Sequence, residues 1–274
     1  MIWTYTDENG LSSTQNQNVI ITDATPPVPD VATLGDVTAE CEVTALTAPT
    51  ATDNCGIDSI WNDYTMQLSA AAIYQIDTTV IWWYAVDFYG NMDSCWMQVI
   101  VLDTLPPVIT CPPDTLFYAT VDSCGTFGDP GTADAFDNCA IDSIWNDYTG
   151  TSSAYAYYAV GDTVITWFAV DSSGNMSSCQ MMVSVIDTIP PDIICPPDTL
   201  FTAFADSCYA YGDPGVALAT DNCQLDSIWN TYTGTGNATS TYPVGTTPVW
   251  WIAVDIYGNM DSCLMNVTVV DTLG

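Results

Sequence analysis

Lysine, arginine and histidine are all absent from the 274 residues, and with 33 acidic residues the formal charge at pH 7 is −33. A chain without cations cannot neutralise phosphates, which excludes nucleic acid and anionic membrane surfaces as direct partners. Without histidine or lysine there is no Ser–His or Cys–His nucleophile pair, no imidazole metal ligand and no phosphate-loop lysine. Any chemistry rests on carboxylates, hydroxyls and thiols. Glutamate is scarce as well, since Glu8, Glu40 and Glu42 are the only three and the other acids are aspartates. The longest apolar run, Val80 to Val86, is far too short to span a membrane, so no membrane insertion is expected. No stretch shows helical periodicity with caps.

What is present points to an ordered chain. Hydrophobic residues make up 48%, with 10 Trp, 15 Tyr and 7 Phe, more than an acidic disordered tail carries. The sequence also repeats itself at intervals of 84 residues: Cys55, Cys139 and Cys223; Trp61, Trp145 and Trp229; Asp87, Asp171 and Asp255; Cys95, Cys179 and Cys263. Three repeats follow, at 24–103, 104–187 and 188–271. Residues 1–23 match only the last strands of a repeat, so the segment is expected to begin inside one.

Within each repeat, β-branched and aromatic runs such as Asp162 to Val170 and Gln180 to Ile186 alternate with turns such as Asp171-Ser-Ser-Gly-Asn175. About seven short strands per repeat, with turn signals every 8–12 residues, describe an all-β chain. The expected fold is a tandem of immunoglobulin-like antiparallel β-sandwiches. Modules this small need staples, and repeats two and three each hold four cysteines without zinc-type spacing. An even count of this kind reads as disulfides in an oxidising, extracellular setting. Of the three connectivities open to four cysteines, the favoured one joins Cys111 to Cys124 and Cys139 to Cys179, and likewise Cys195 to Cys208 and Cys223 to Cys263. In repeat one, Cys55 is paired with Cys95 and Cys41 is left over, with Cys41–Cys55 as the alternative.

The series D-T-x-P-P-x-I-x-C-P-P-D-T-L, then D-N-C, then V-G-D-T-V-I-T-W-F-A-V-D-S-S-G-N-M-S-S-C and a closing V-x-D resembles the hyalin repeat (HYR) family of immunoglobulin-like modules. Residues 24–58, with T-A-E-C-E-V-T-A-L-T-A-P-T-A-T-D-N-C, also resemble repeats of large surface adhesins in gliding bacteria that use type IX secretion. The resemblance implies an extracellular adhesive or filament-forming repeat protein at the cell surface, and not an enzyme.

Aspartates placed in turns suit either local capping or calcium. In such a sandwich the D-N loop and the D-x-x-G-N loop lie at the end where the chain enters, and the entering linker adds a further carboxylate. Hard oxygen donors converging there suit Ca²⁺. The expected ligand sets are Asp23, Asp53, Asn54, Asp87 and Asn91; Asp103, Asp137, Asn138, Asp171 and Asn175; and Asp187, Asp221, Asn222, Asp255 and Asn259. The competing reading is a plain turn, in which the Asp accepts from backbone amides and the Asn adopts the left-handed conformation.

Three equivalent strands, around Trp82 and Trp83, Trp167 and Phe168, and Trp250 and Trp251, are apolar on both faces. A strand of that kind is normally covered on both sides, so these six residues are expected to form an interface between copies, making a filament of several chains. The alternative is a glycan- or protein-binding module on a monomeric string of domains, with the same aromatics meeting a cell-surface ligand. A two-carboxylate glycosidase would need one unique acid pair, which three equivalent repeats do not supply. Weaker signals are Asp-Ser/Thr-apolar triplets such as Asp142-Ser143-Ile144, which resemble an O-glycosylation motif, and N-x-S/T sequons at Asn175, Asn237 and Asn266.

Overall fold

The computed structural model describes every residue except 44, 45, 71, 73, 75, 273 and 274. The described residues are strands and turns, without a helix. Two compact units result: Met1–Leu105 with Asn138–Ala140, and Pro106–Asp137 with Ile141–Gly274.

The first unit opens with an exposed hairpin, Ile2–Thr6 against Ser12–Asn16. Asp7 sets its turn by accepting from the Asn9 and Leu11 amides at 2.9 and 2.8 Å. A four-stranded sheet follows, in the spatial order Val37–Glu40, Met92–Leu102, Asp77–Asp87, Ile57–Asn62. Its first pair is parallel and the others antiparallel. Val28–Pro29 pairs with Ala51–Thr52 apart from that sheet.

The second unit contains the same pattern twice. One sheet runs Thr115–Tyr118, Met176–Ile186, Gly161–Asp171, Ile141–Asn146, and the other Thr199–Thr202, Met260–Val270, Gly245–Asp255, Leu225–Asn230. Short pairs accompany each, for example Gly125–Gly128 with Ala156–Ala159 and Tyr209–Gly212 with Ser240–Pro243. The all-β, immunoglobulin-like architecture is the expected one, with one parallel pair in every large sheet.

Alternation along the long strands builds the cores. In Gly245–Asp255, Val249, Trp251 and Ala253 point inward and are fully buried, while Trp250 is 46% exposed. Trp83 and Trp167 occupy the same inward place as Trp251. Burying an indole removes on the order of 200 Å² from water, which stabilises by roughly 5 kcal/mol as an upper figure. Trp83, Trp167 and Trp251 are therefore core residues and not the interface expected of them. Part of the outer face of these strands is covered from within the sheet: Phe168 stacks on Trp145 at 4.3 Å and Tyr84 on Trp61 at 4.5 Å, each pair facing across adjacent strands. A two-faced apolar strand can thus be satisfied by cross-strand aromatic stacking without another chain. Of the six expected interface residues, Trp82 and Trp250 are exposed and Phe168 is half-buried.

The disulfides are Cys41–Cys139, Cys111–Cys179, Cys124–Cys223 and Cys195–Cys263. None of the expected pairings forms, and Cys55, Cys95 and Cys208 are free thiols. Strand register is the reason. Thr115 lies opposite Val183 in a parallel pair, so four residues earlier Cys111 faces Cys179, and Thr199 opposite Val267 sets Cys195 against Cys263 in the same way. In the first unit the equivalent place is Thr33, which bridges to Trp96, and Cys95 stays buried without a partner.

Candidate functional site

The loops that close the long strands and the linkers that enter the sandwiches bring carboxylates together. In the first unit, one oxygen each of Asp23, Asp53 and Asp87 lie within 4.8 Å of one another; in the second, Asp187, Asp221 and Asp255 do the same. Oxygens placed about 2.4 Å from one centre are at most about 4.8 Å apart, so the spacing within each group is that of oxygens sharing one Ca²⁺-sized centre.

Two of the three aspartates in each cluster are held through Oδ1, leaving Oδ2 for a ligand. Asp53 Oδ1 accepts from the Cys55 and Gly56 amides at 2.7 and 3.0 Å, and Asp221 Oδ1 from those of Cys223 and Gln224 at 2.9 and 3.0 Å. Asp23 Oδ1 accepts from the Thr25 amide and Asp187 Oδ1 from the Ile189 amide. Oδ2 of Asp23, Asp53, Asp187 and Asp221 is buried with no hydrogen-bond partner, as is Oδ1 of Asn222. Asp187 is only 4% exposed. A buried carboxylate oxygen without a proton donor is costly unless a cation meets it, and this chain has no side-chain cation to offer.

Asp87 and Asp255 are clamped differently. Asp87 Oδ1 accepts from the Tyr89 and Asn91 amides, and Oδ2 from Asn91 Nδ2 at 2.7 Å; Asp255 repeats this with Tyr257 and Asn259. Burial pushes the Asp87 carboxyl up, but the Asn91 side chain and the two amides outweigh it, so its pKa lies below the ordinary carboxylate value. The Thr25 amide, followed by the Cys55 thiol, holds Asp23 low as well. The same Asp23 hydrogen bond is the first cause that raises the pKa of Cys55.

Asn91 and Asn259 also donate from Nδ2 to the backbone carbonyls of Asp23 and Asp187, at 3.3 and 3.2 Å. They turn N–H groups toward the cluster and act as braces between the Asp87 or Asp255 carboxylate and the backbone carbonyl of Asp23 or Asp187, not as oxygen donors. Asn54 likewise donates to Asp23 Oδ1 and Asn222 to Asp187 Oδ1. The plain-turn reading is right about the amides, yet the left-handed residues are Gly90, Gly174 and Gly258, with φ of 87, 90 and 90°. Among the remaining expected ligands, Asp103 is buried in the first unit and Asn138 packs its amide near the Cys41 sulfur there. Asp137 and Asp171 belong to the second unit, where Asp171 makes the same turn as Asp255, with Asn175 Nδ2 at 2.8 Å from its Oδ2. An open cavity of about 420 Å³ adjoins the Asp221–Asn222 loop, lined also by Val121, Asp122, Ile189 and Pro190.

Two recurring positions escaped the sequence reading. Asn62, Asn146 and Asn230 are fully buried and organise the loop that follows: Asn230 Oδ1 accepts from the Tyr232 and Thr233 amides, and Nδ2 donates to the carbonyls of Thr235 and Asn237. Tyr74, Tyr158 and Tyr242 are buried and donate their hydroxyls to the carbonyls of Ala70, Ala154 and Ala238. The recurring Ile-Trp-Asn triplet carried the first signal.

These features define an extracellular protein of tandem, disulfide-bonded, immunoglobulin-like β-modules. The HYR domain family matches residues 102–185. Hyalin of Lytechinus variegatus is 31% identical over 286 residues, covering 96% of this chain and 51% of hyalin. Hyalin of Strongylocentrotus purpuratus is 31% identical over 292 residues, covering 98% of this chain and 23% of that protein. The chain thus spans about half the length of the first of these relatives and less of the second. Among solved structures, mouse cadherin-23 EC22-24 aligns with 90% of this chain and 99% of its own at 14% identity and a TM-score of 0.37, a score from which nothing functional is carried over.

Proposed function

We propose that this chain is a structural segment of an extracellular adhesion-type repeat array, forming the shaft of a cell-surface adhesin or filament, and that it has no catalytic role. Disulfides and Ca²⁺ at the Asp23–Asp53–Asp87 and Asp187–Asp221–Asp255 clusters stiffen the array. The observation that carries the reading is the set of buried, unpartnered carboxylate oxygens, repeated in two places in a chain of charge −33. All-oxygen donors favour a hard cation over zinc or copper. When bound, the ion supplies charge neutralisation; the protein positions the oxygens through Asx turns and the Asn91 and Asn259 braces. The setting in gliding bacteria suggested by residues 24–58 belongs to this proposal.

Lateral self-association completes the shaft, with the exposed Trp82 and Trp250 as its contacts. The same two side chains favour a second reading, a glycan- or protein-binding module on a monomeric string, because an exposed indole stacks equally well on a sugar. Light scattering in calcium and in chelator separates them. A multimer in calcium that is lost on replacing Trp82 and Trp250 by alanine supports the shaft. A monomer under both conditions, whatever its calcium affinity, removes the multichain filament.

A further inference from the structure

Two of the four disulfides obey one rule. Cys41–Cys139 and Cys124–Cys223 each join the turn after the first strand of a large sheet to the D-N-C loop of the next repeat, over 98 and 99 residues. Cys208 is the third member of the Cys41 and Cys124 series, and Cys55 is the first member of the Cys139 and Cys223 series. Both are exposed free thiols.

Their surroundings match those of the bonded members. The Cys208 carbonyl accepts from the Val244 amide at 2.9 Å, as the Cys124 carbonyl accepts from Val160 at 3.2 Å. The Cys55 amide donates to Asp53 Oδ1 at 2.7 Å, as the Cys223 amide donates to Asp221 Oδ1 at 2.9 Å. Asn54 Nδ2 lies 3.4 Å from the Cys55 sulfur, and Asn222 Nδ2 lies 3.6 Å from that of Cys223. Cys95 shares none of this: it is buried in the core, and its pKa is raised first by that burial.

We infer that Cys208 and Cys55 are the two open halves of a covalent staple that runs from each repeat to the next. Cys208 takes a Cys55-type cysteine from a following repeat, and Cys55 a Cys41-type cysteine from a preceding one. The repeat supplying that cysteine is either part of the same polypeptide or the end of a second copy. The inference rests on the array reading and deepens it, since a chain stapled at every step resists extension without relying on any ion. With oxidised glutathione as oxidant, the Cys208 thiolate attacks the glutathione disulfide and displaces one glutathione. The Cys55 thiolate then attacks the Cys208 sulfur of the mixed disulfide and displaces the second. Two protein thiols become one disulfide while one glutathione disulfide becomes two glutathiones.

The test incubates the 274-residue chain in a glutathione redox buffer, with salt to screen its charge, followed by non-reducing electrophoresis and peptic mass mapping. A ladder in steps of 29.5 kDa is expected, with a Cys208–Cys55 peptide as its link. Cys55→Ser and Cys208→Ser should each stay monomeric on their own, and their mixture should stop at a dimer joined through that same peptide. Appending a further copy of residues 188–271 locates the source. Cys208 should then bond the appended counterpart of Cys223, and a ladder that persists without this bond assigns the partner to a second copy. Monomers with both thiols still alkylatable, a Cys55–Cys95 bond within one molecule, or equal amounts of Cys55–Cys55 and Cys208–Cys208 links would overturn the inference. Calcium binding and noncovalent association are measured separately, so failure here leaves the shaft reading standing, and failure there leaves this pairing rule standing.

Discussion

Replacing both Cys195 and Cys263 by alanine removes the disulfide that joins the entering segment to the last strand of the third repeat, closing 68 residues of chain. In the chain-entropy treatment a loop of that length restricts the unfolded state by about 4.4 kcal/mol at 25 °C. The pairing favoured by sequence, Cys195 with Cys208, would have closed a loop of 13 and contributed only about 3 kcal/mol. The structure therefore predicts a loss of about 4 kcal/mol confined to one repeat. Hydrogen exchange read by mass spectrometry resolves this, because each 1.4 kcal/mol is tenfold in the opening equilibrium. Amides of Gly245–Asp255 should lose about a thousandfold in protection, while those of Gly161–Asp171, stapled by Cys111–Cys179, keep theirs. A loss below tenfold, or peptides linking Cys195 to Cys208 in the parent chain, would refute the reasoning.

The buried tyrosines give a pH prediction. Burial, with smaller contributions from nearby groups, raises Tyr74, Tyr158 and Tyr242 to about 12. The unfolded chain loses these protons near pH 10, so their stabilisation is full below that value and disappears as pH rises toward 12. With no lysine or arginine titrating in that range, phenolate absorbance should show a late group of tyrosines that ionises together with alkaline unfolding; simultaneous titration of all tyrosines near pH 10 in the folded chain would contradict it. Asn230→Ala removes a fully buried side chain that serves four backbone groups, and should cost about 2–5 kcal/mol in denaturant unfolding. Asp187→Asn should weaken calcium binding at the cluster in the second unit, with Asp23→Asn affecting only the first, as read by calorimetric titration of the two variants.

The repeat, the strand content and the all-β architecture were legible because turn-forming Asp, Gly and Pro punctuate β-branched runs at a constant period. Disulfide connectivity was not, because it depends on the first strand of each sheet running parallel beside the last, and a sequence does not display which distant strands are neighbours. Convergence of Asp23, Asp53 and Asp87, and of Asp187, Asp221 and Asp255, was readable from the ends of the sandwich to which their loops belong. The brace role of Asn91 and Asn259 was hidden, since an amide offers an oxygen and N–H groups with equal ease. The outward aromatics were legible only in part: composition shows that a strand is apolar on both faces, but not that Trp145 of the neighbouring strand stacks on Phe168 while Trp82 and Trp250 stay exposed.

The most direct test of the account is scanning calorimetry of the chain in saturating calcium and after exhaustive chelation, with the Asp187→Asn variant alongside. Calcium at about a hundred times its dissociation constant should stabilise the parent by about 2.7 kcal/mol for each site filled, and the variant should lose that gain in its second unit. Identical melting with and without calcium, in parent and variant alike, would contradict the claim that these carboxylates exist to hold a cation.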